Sequence, residues 1–123
     1  MRRLDWTPSF FGFEQPTVWI DIDRADVSWS ATPLYIPRGG PGDWDKYERI
    51  GEWITGYDGP IEMPSVSLPD GHLTFADGRH RFAWLRDHGV TALPVTISHG
   101  WVRQLESLAG TQERASILVQ TST

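Results

Sequence analysis

The chain has 123 residues, 39% of them apolar and 22% charged, with a formal net charge of -5 at pH 7. That length predicts one domain with one core, and the composition lacks the bias of a disordered chain. The acidic balance argues against a protein whose main work is gripping duplex DNA, because that affinity comes from Lys and Arg neutralising phosphates; the absence of cysteine excludes disulfides, thiol nucleophiles and thiolate metal sites.

Residues 1–16 hold Pro8, Gly12, Pro16 and four aromatics, which predicts an N-terminal arm laid over the core in place of a regular element. No apolar run of signal or membrane-spanning length follows Met1-Arg2-Arg3, so a cytoplasmic location with no membrane partner is expected. Residues 17–23 alternate, with Val18, Ile20 and Ile22 on one face, and read as a half-buried strand. Residues 26–29 read as a turn or short strand, and 34–36 as a short strand stopped by Pro37. The Gly- and Pro-rich stretch 37–42 reads as a surface loop that could fold over a ligand.

Asp43 is placed to cap a helix over 44–55, with Tyr47, Ile50, Trp53 and Ile54 spaced for a buried face and Gly56 as its stop. Residues 64–68 and 72–75 are two strands joined by Pro69-Asp70-Gly71, a strong hairpin signal. Asp77 is a candidate N-cap for a helix over 79–88 that turns Phe82, Ala83 and Leu85 to the core and ends at Gly89. A strand at 93–97 and helices at 101–108 and 112–119 complete the pattern, with Ser98 and Thr111 as caps and 120–123 as a frayed tail. Large aromatics are more often core than ligand platforms, so Trp19, Trp53 and Trp84 are assigned to packing, and Trp44 with Tyr47 to an exposed pair.

The chemistry concentrates at Asp77-Gly78-Arg79-His80-Arg81, where a strand passes through a tight turn into a helix. Gly78 lets the backbone take a conformation other residues resist and lets an oxyanion approach closely. The helix start adds unpaired N–H groups and a positive dipole end. Cations at that end are disfavoured by ~0.3–1 kcal/mol each, a frustration that an anion would relieve. Ten of the eleven Lys and Arg residues are arginine, the side chain suited to bidentate phosphate recognition. The alternative is structural: Asp77 caps the helix and pairs with Arg81 while the other side chains face solvent.

The stretch 64–97 resembles the ParB/sulfiredoxin superfamily, in which a hairpin, a glycine turn, a helix beginning His-Arg or Arg-Arg and a following strand build a nucleotide-phosphate pocket. The resemblance implies an α+β fold: a single compact ParB/sulfiredoxin-like domain over 17–119, with a small mixed sheet and flanking helices. Gly78, His80 and Arg81 match the Gly and His-Arg of the sulfiredoxin Gly-Cys-His-Arg motif, and Arg79 stands at the catalytic cysteine, which excludes that family's sulfinic acid chemistry. Against the Gly-Glu-Arg-Arg box of the partition proteins, Gly78 and Arg81 match, His80 replaces Arg, and Arg79 reverses the charge of the Glu. Asp-Gly-X-His-Arg is similar to the ParB-like branch that includes free-serine kinases and phage and plasmid proteins. The partition proteins carry a helix-turn-helix domain that these residues do not extend to, so duplex DNA binding by this chain on its own is not expected.

The resemblance implies ATP or another nucleoside triphosphate with Mg²⁺ as ligand, held by Asp77, Gly78, Arg79, His80 and Arg81. One expectation is an NTP-dependent enzyme, an ATPase, small-molecule kinase or nuclease, using Glu48, Glu52 or Asp77 as its catalytic carboxylate. The other is a non-catalytic nucleotide-sensing or protein-interaction module, acting with a protein partner or as a homodimer, as in a phage or plasmid accessory protein. His72, His80, His88 and His99 lack metal-site spacing, so no dedicated metal site is expected, and His88 reads as structural in the last helical turn.

Overall fold

The computed structural model describes residues 1–9, 14–39 and 44–119. In chain order these form β1 (Arg2–Leu4), β2 (Trp6–Thr7), β3 (Thr17–Asp21), α1 (Ile22–Trp29), α2 (Trp44–Gly56), β4 (Ile61–Glu62), β5 (Ser65–Ser67), β6 (Thr74–Asp77), α3 (Arg79–Asp87) and β7 (Ala92–Thr96). A 3₁₀ turn (His99–Trp101), α4 (Val102–Ala109) and β8 (Ser116–Leu118) follow. The fold is α+β, as expected. Its sheet is mixed and ordered β3-β7-β5-β6, antiparallel between β3 and β7 and between β5 and β6, and parallel between β5 and β7.

Every residue of β7 is buried, so it is the strand around which the core is built, with Leu93, Val95 and Ile97 wholly enclosed. Pro94 is tolerated there, although it cannot donate to a ladder. The reason lies in the short pairing with β5, whose register with β7 is confined to Ser65 opposite Thr96. The N–H that donates toward β5 is that of Thr96, to the Pro64 carbonyl at 3.0 Å; two residues earlier, Pro94 faces the same side where no strand pairs.

Several expectations fail, each for a tertiary reason. Residues 1–7 are not a separate arm: β1 pairs antiparallel with β8 and β2 runs parallel to β4, so both belong to the domain. Residues 10–13 and the tail 120–123 lie outside the described residues. The strand at 17–23 stops at Asp21, whose Oδ2 accepts the Arg24 N–H at 2.9 Å and caps α1. Residues 26–29, expected as a turn or strand, are the second half of that helix. Residues 34–36 carry no strand. Residues 112–119 are not helical: Thr111 Oγ1 accepts the Glu113 N–H at 3.2 Å as a cap would, yet the chain then extends into β8.

The expected hairpin forms as β5 and β6, and α2 and α3 form where their apolar spacing places them. The α2 surface differs from expectation, since Ile54 and Gly51 are its buried residues and Trp53 is 40% exposed, stacked on Tyr57 and not in the core. Trp29, which carried no assignment, is the most deeply buried tryptophan, with Phe75, Phe82 and Tyr35 edge-on around it. Asp43 and residues 40–42 lie outside the described residues, so the cap of α2 and the loop that precedes it in sequence are expectations only. No helix among the described residues is long and apolar enough to cross a membrane.

Candidate functional site

The antiparallel pair β5–β6 carries the chain to Asp77, and α3 begins two residues later at Arg79. Gly78 makes the bend with φ +89°, a left-handed conformation that L side chains resist. Space demands glycine as well, because a Cβ there would meet Arg81 Nη2 at 2.7 Å and the Pro64 Cα at 3.0 Å. The helix is capped by Gly78 with no side-chain hydrogen bond, and its first turn holds no acidic residue. Asp77 is therefore not the N-cap expected of it; it closes β6 and accepts from Arg81 Nη2 at 3.3 Å.

Arg81 is held more tightly than expected. Its side chain is 11% exposed, Nε donates to the Glu62 carbonyl at 3.1 Å and Nη2 to Asp77, so it buckles the end of β4 to the turn. Arg79, in contrast, makes no hydrogen bond or ion pair among the described residues and is half-buried. His80 is buried beneath the turn.

These side chains open onto a cleft of about 480 Å³ lined by residues 75–81 together with Leu34, Lys46 and Ile50. The structure thus brings together all five expected phosphate-site residues and adds Lys46 from α2, which the motif did not single out. Lys46, Arg79 and Arg81 line it together with one carboxylate, Asp77, which Arg81 already engages. Glu48 and Glu52 are exposed on α2 and are not part of the cleft wall, a correction to their expected catalytic placement: the helix presents Lys46 and Ile50 there. Among the described residues no three His, Asp or Glu side chains gather to hold a metal ion.

A second cleft, of about 330 Å³, adjoins the first and shares Leu34, Phe75 and Arg79 with it. Phe75 lies at its floor against the almost fully enclosed Trp29, and Pro33 and Pro69 are among its walls. Nothing in the motif announced it, because its residues come from the end of α1, the segment after it and the hairpin turn. Of the aromatic pair expected to be exposed at the start of α2, Trp44 is 57% exposed, whereas Tyr47 is half-buried with its hydroxyl donating to Asp87 at 2.9 Å; the two rings stack with centroids 6.0 Å apart. His88 lies flat on Trp84 at 3.9 Å with Nδ1 2.7 Å from the Trp84 carbonyl oxygen, the structural placement expected of it.

A solved structure shares this architecture: the oncogenic suppression activity protein, a plasmid fertility inhibition factor, studied as a gold(I) cyanide derivative. The fold is held in common. The two chains superpose with a TM-score of 0.60 at 20% sequence identity, over 84% of this chain and 60% of the other. This chain therefore spans about three fifths of that protein's length. No family model matches the sequence, and no curated protein matches it either.

Proposed function

We propose that this chain is a nucleotide-phosphate-binding domain whose seat is the Gly78 turn, with ATP or another nucleoside triphosphate, carried with Mg²⁺, as its ligand class. The observation that carries the reading is Arg79: a half-buried arginine at the positive end of α3, with no carboxylate partner among the described residues, lining the cleft at the Gly78 turn. Burying part of a cation beside a helix dipole of the same sign is unfavourable unless an anion completes the site. The likeness of the 77–81 box to ParB and sulfiredoxin proteins supports a nucleotide as that anion. A cytoplasmic setting, where nucleoside triphosphates are plentiful, suits this reading, as does an accessory role in a plasmid or phage.

Binding is better supported than chemistry. Asp77 is the one carboxylate in the cleft wall among the described residues, and Arg81 already occupies one of its oxygens. A hydrolase or kinase would have to use it as general base or metal ligand, so turnover lost in Asp77→Asn with binding retained is the signature of the enzyme.

The test is a thermal-shift panel of ATP, CTP, GTP and inorganic tripolyphosphate, each with Mg²⁺. A ligand present at 100 times its Kd adds about 2.7 kcal/mol of stability. Arg79→Ala should remove that shift while leaving the ligand-free Tm within about 2 °C of the parent, since Arg79 makes no hydrogen bond or ion pair among the described residues. No shift with any of the four compounds overturns the proposal.

A further inference from the structure

We infer that the aromatic cleft beside the Gly78 turn seats the base of the nucleotide whose phosphates lie on that turn, so that one ligand spans both clefts; this rests on the phosphate-binding reading above. The argument starts from adjacency. The two clefts share Leu34, Phe75 and Arg79, and Arg79, which has no carboxylate partner among the described residues, stands in the wall common to both. A ligand in the aromatic cleft is therefore within reach of a guanidinium that needs an anion, which favours an occupant that is aromatic at one end and anionic at the other.

The chemistry of the second cleft fits the aromatic end. Its floor is the half-buried Phe75 ring, set T-shaped at 4.8 Å against the enclosed Trp29 behind it, and Pro33 and Pro69 give it flat apolar walls. At the rim Asp70 and His72, both exposed on the hairpin turn, offer a carboxylate acceptor and an imidazole to the polar edge of a base. Apolar walls with a few polar groups are the usual makeup of a small-molecule site, and stacking on aromatic faces is tolerant of base identity. Trp29 and Phe75 are held by Phe82 behind them at 5.5 Å and 4.9 Å, so the floor is formed before any ligand arrives.

The division of labour gives the test. Phosphate contacts at the Gly78 turn are blind to the base, whereas the aromatic cleft contributes only when a base is present. In calorimetry with Mg²⁺, at least one of ATP, CTP and GTP should bind ten times or more tighter than inorganic tripolyphosphate. Two substitutions fill the aromatic cleft from opposite sides without touching the turn: Ala31→Trp, at an exposed position after α1, and Thr74→Trp, on the edge strand β6, where a large aromatic suits the backbone. Each should bring the nucleotide's affinity down to that of tripolyphosphate and leave tripolyphosphate binding unchanged. Equal affinity for nucleotides and tripolyphosphate in the parent protein overturns the inference and leaves the phosphate seat standing, as does a nucleotide preference that survives both fillings. Binding of none of the four compounds removes the seat and the inference together.

Discussion

Two arginines two residues apart do different work. Arg81 is a strut: it links Glu62, Asp77 and the inside of the Gly78 bend, so its replacement disturbs the turn itself. Arg79 makes no hydrogen bond or ion pair among the described residues, which is why it, and not Arg81, gives the cleaner test of the proposed site. At Gly78 two requirements meet, the left-handed φ and the contact with Pro64. Gly78→Ala should cost ~1–2 kcal/mol for the backbone conformation alone, more if Pro64 cannot yield, and should weaken tripolyphosphate binding as well. Equilibrium urea unfolding measures the first effect and calorimetry the second.

At the scale of elements, the cleft exists because α2 lies close over α3. Gly51 makes that approach possible: a Cβ there would overlap the Trp84 indole, whose own face is covered by His88. Gly51→Ala would raise the intrinsic helix propensity of α2 by about 1 kcal/mol and yet is expected to destabilise the protein by ~1–3 kcal/mol through overpacking. The same change should shift Lys46 and Ile50 at the cleft mouth, read as a loss of tripolyphosphate affinity; a variant more stable than the parent would show that α2 and α3 are not locked together by this contact. Pattern alone located these two helices, since their apolar residues recur at helical spacing. It located the hairpin for the same reason, because a Pro-Asp-Gly turn between alternating segments is a local signal. The signal for α1 was also present, in Asp21 followed by Ile22, Ala25 and Trp29 at helical spacing, but it was masked by continuity with the apolar alternation of β3.

Across the whole molecule, one buried cation ties the layers together. Arg86 on α3 is 3% exposed and donates to Asp26 of α1 at 2.9 Å, to the Ile36 carbonyl at 2.6 Å and to the neighbouring Asp87 at 2.8 Å. Its guanidinium also lies 5.9 Å from the Trp29 ring centroid and 5.8 Å from that of Tyr35. Burial alone would weaken its charge, and the hydrogen bonds to Asp87 and Asp26 more than reverse that. Arg86→Ala leaves the Asp26 carboxylate without its buried partner, so a loss of about 3–5 kcal/mol in denaturant unfolding is expected.

The same network sets the response to alkali. Burial, then the hydrogen bond donated to Asp87 at 2.9 Å, raises the Tyr47 phenol well above its ordinary value of 10.0; burial and Asp26 raise Tyr35 in the same direction. The neutral phenol is thus favoured in the folded state, and its contribution is complete below pH about 10. It fades as the pH climbs above that value, because the unfolded chain then ionises first. Tyr47→Phe should flatten the fall of stability above pH 10 in pH-jump unfolding, and an unchanged slope would mean that this phenol is not coupled to folding.

Local order was therefore legible from the residues themselves: the hairpin, α2, α3, and the concentration of donors around Gly78, each written in spacing, turn chemistry or charge over a dozen neighbouring positions. Tertiary structure alone decided the rest. The pairing of β1 with β8 joins opposite ends of the chain, and Ser116 reaches Trp6 Nε1 at 3.0 Å across 110 positions, a relation that no local pattern encodes. It also decided which charges are engaged within the fold, binding Arg81 and Arg86 to backbone and carboxylate groups while Arg79 has no such partner among the described residues, because partners are chosen by distance in space and not by separation along the sequence.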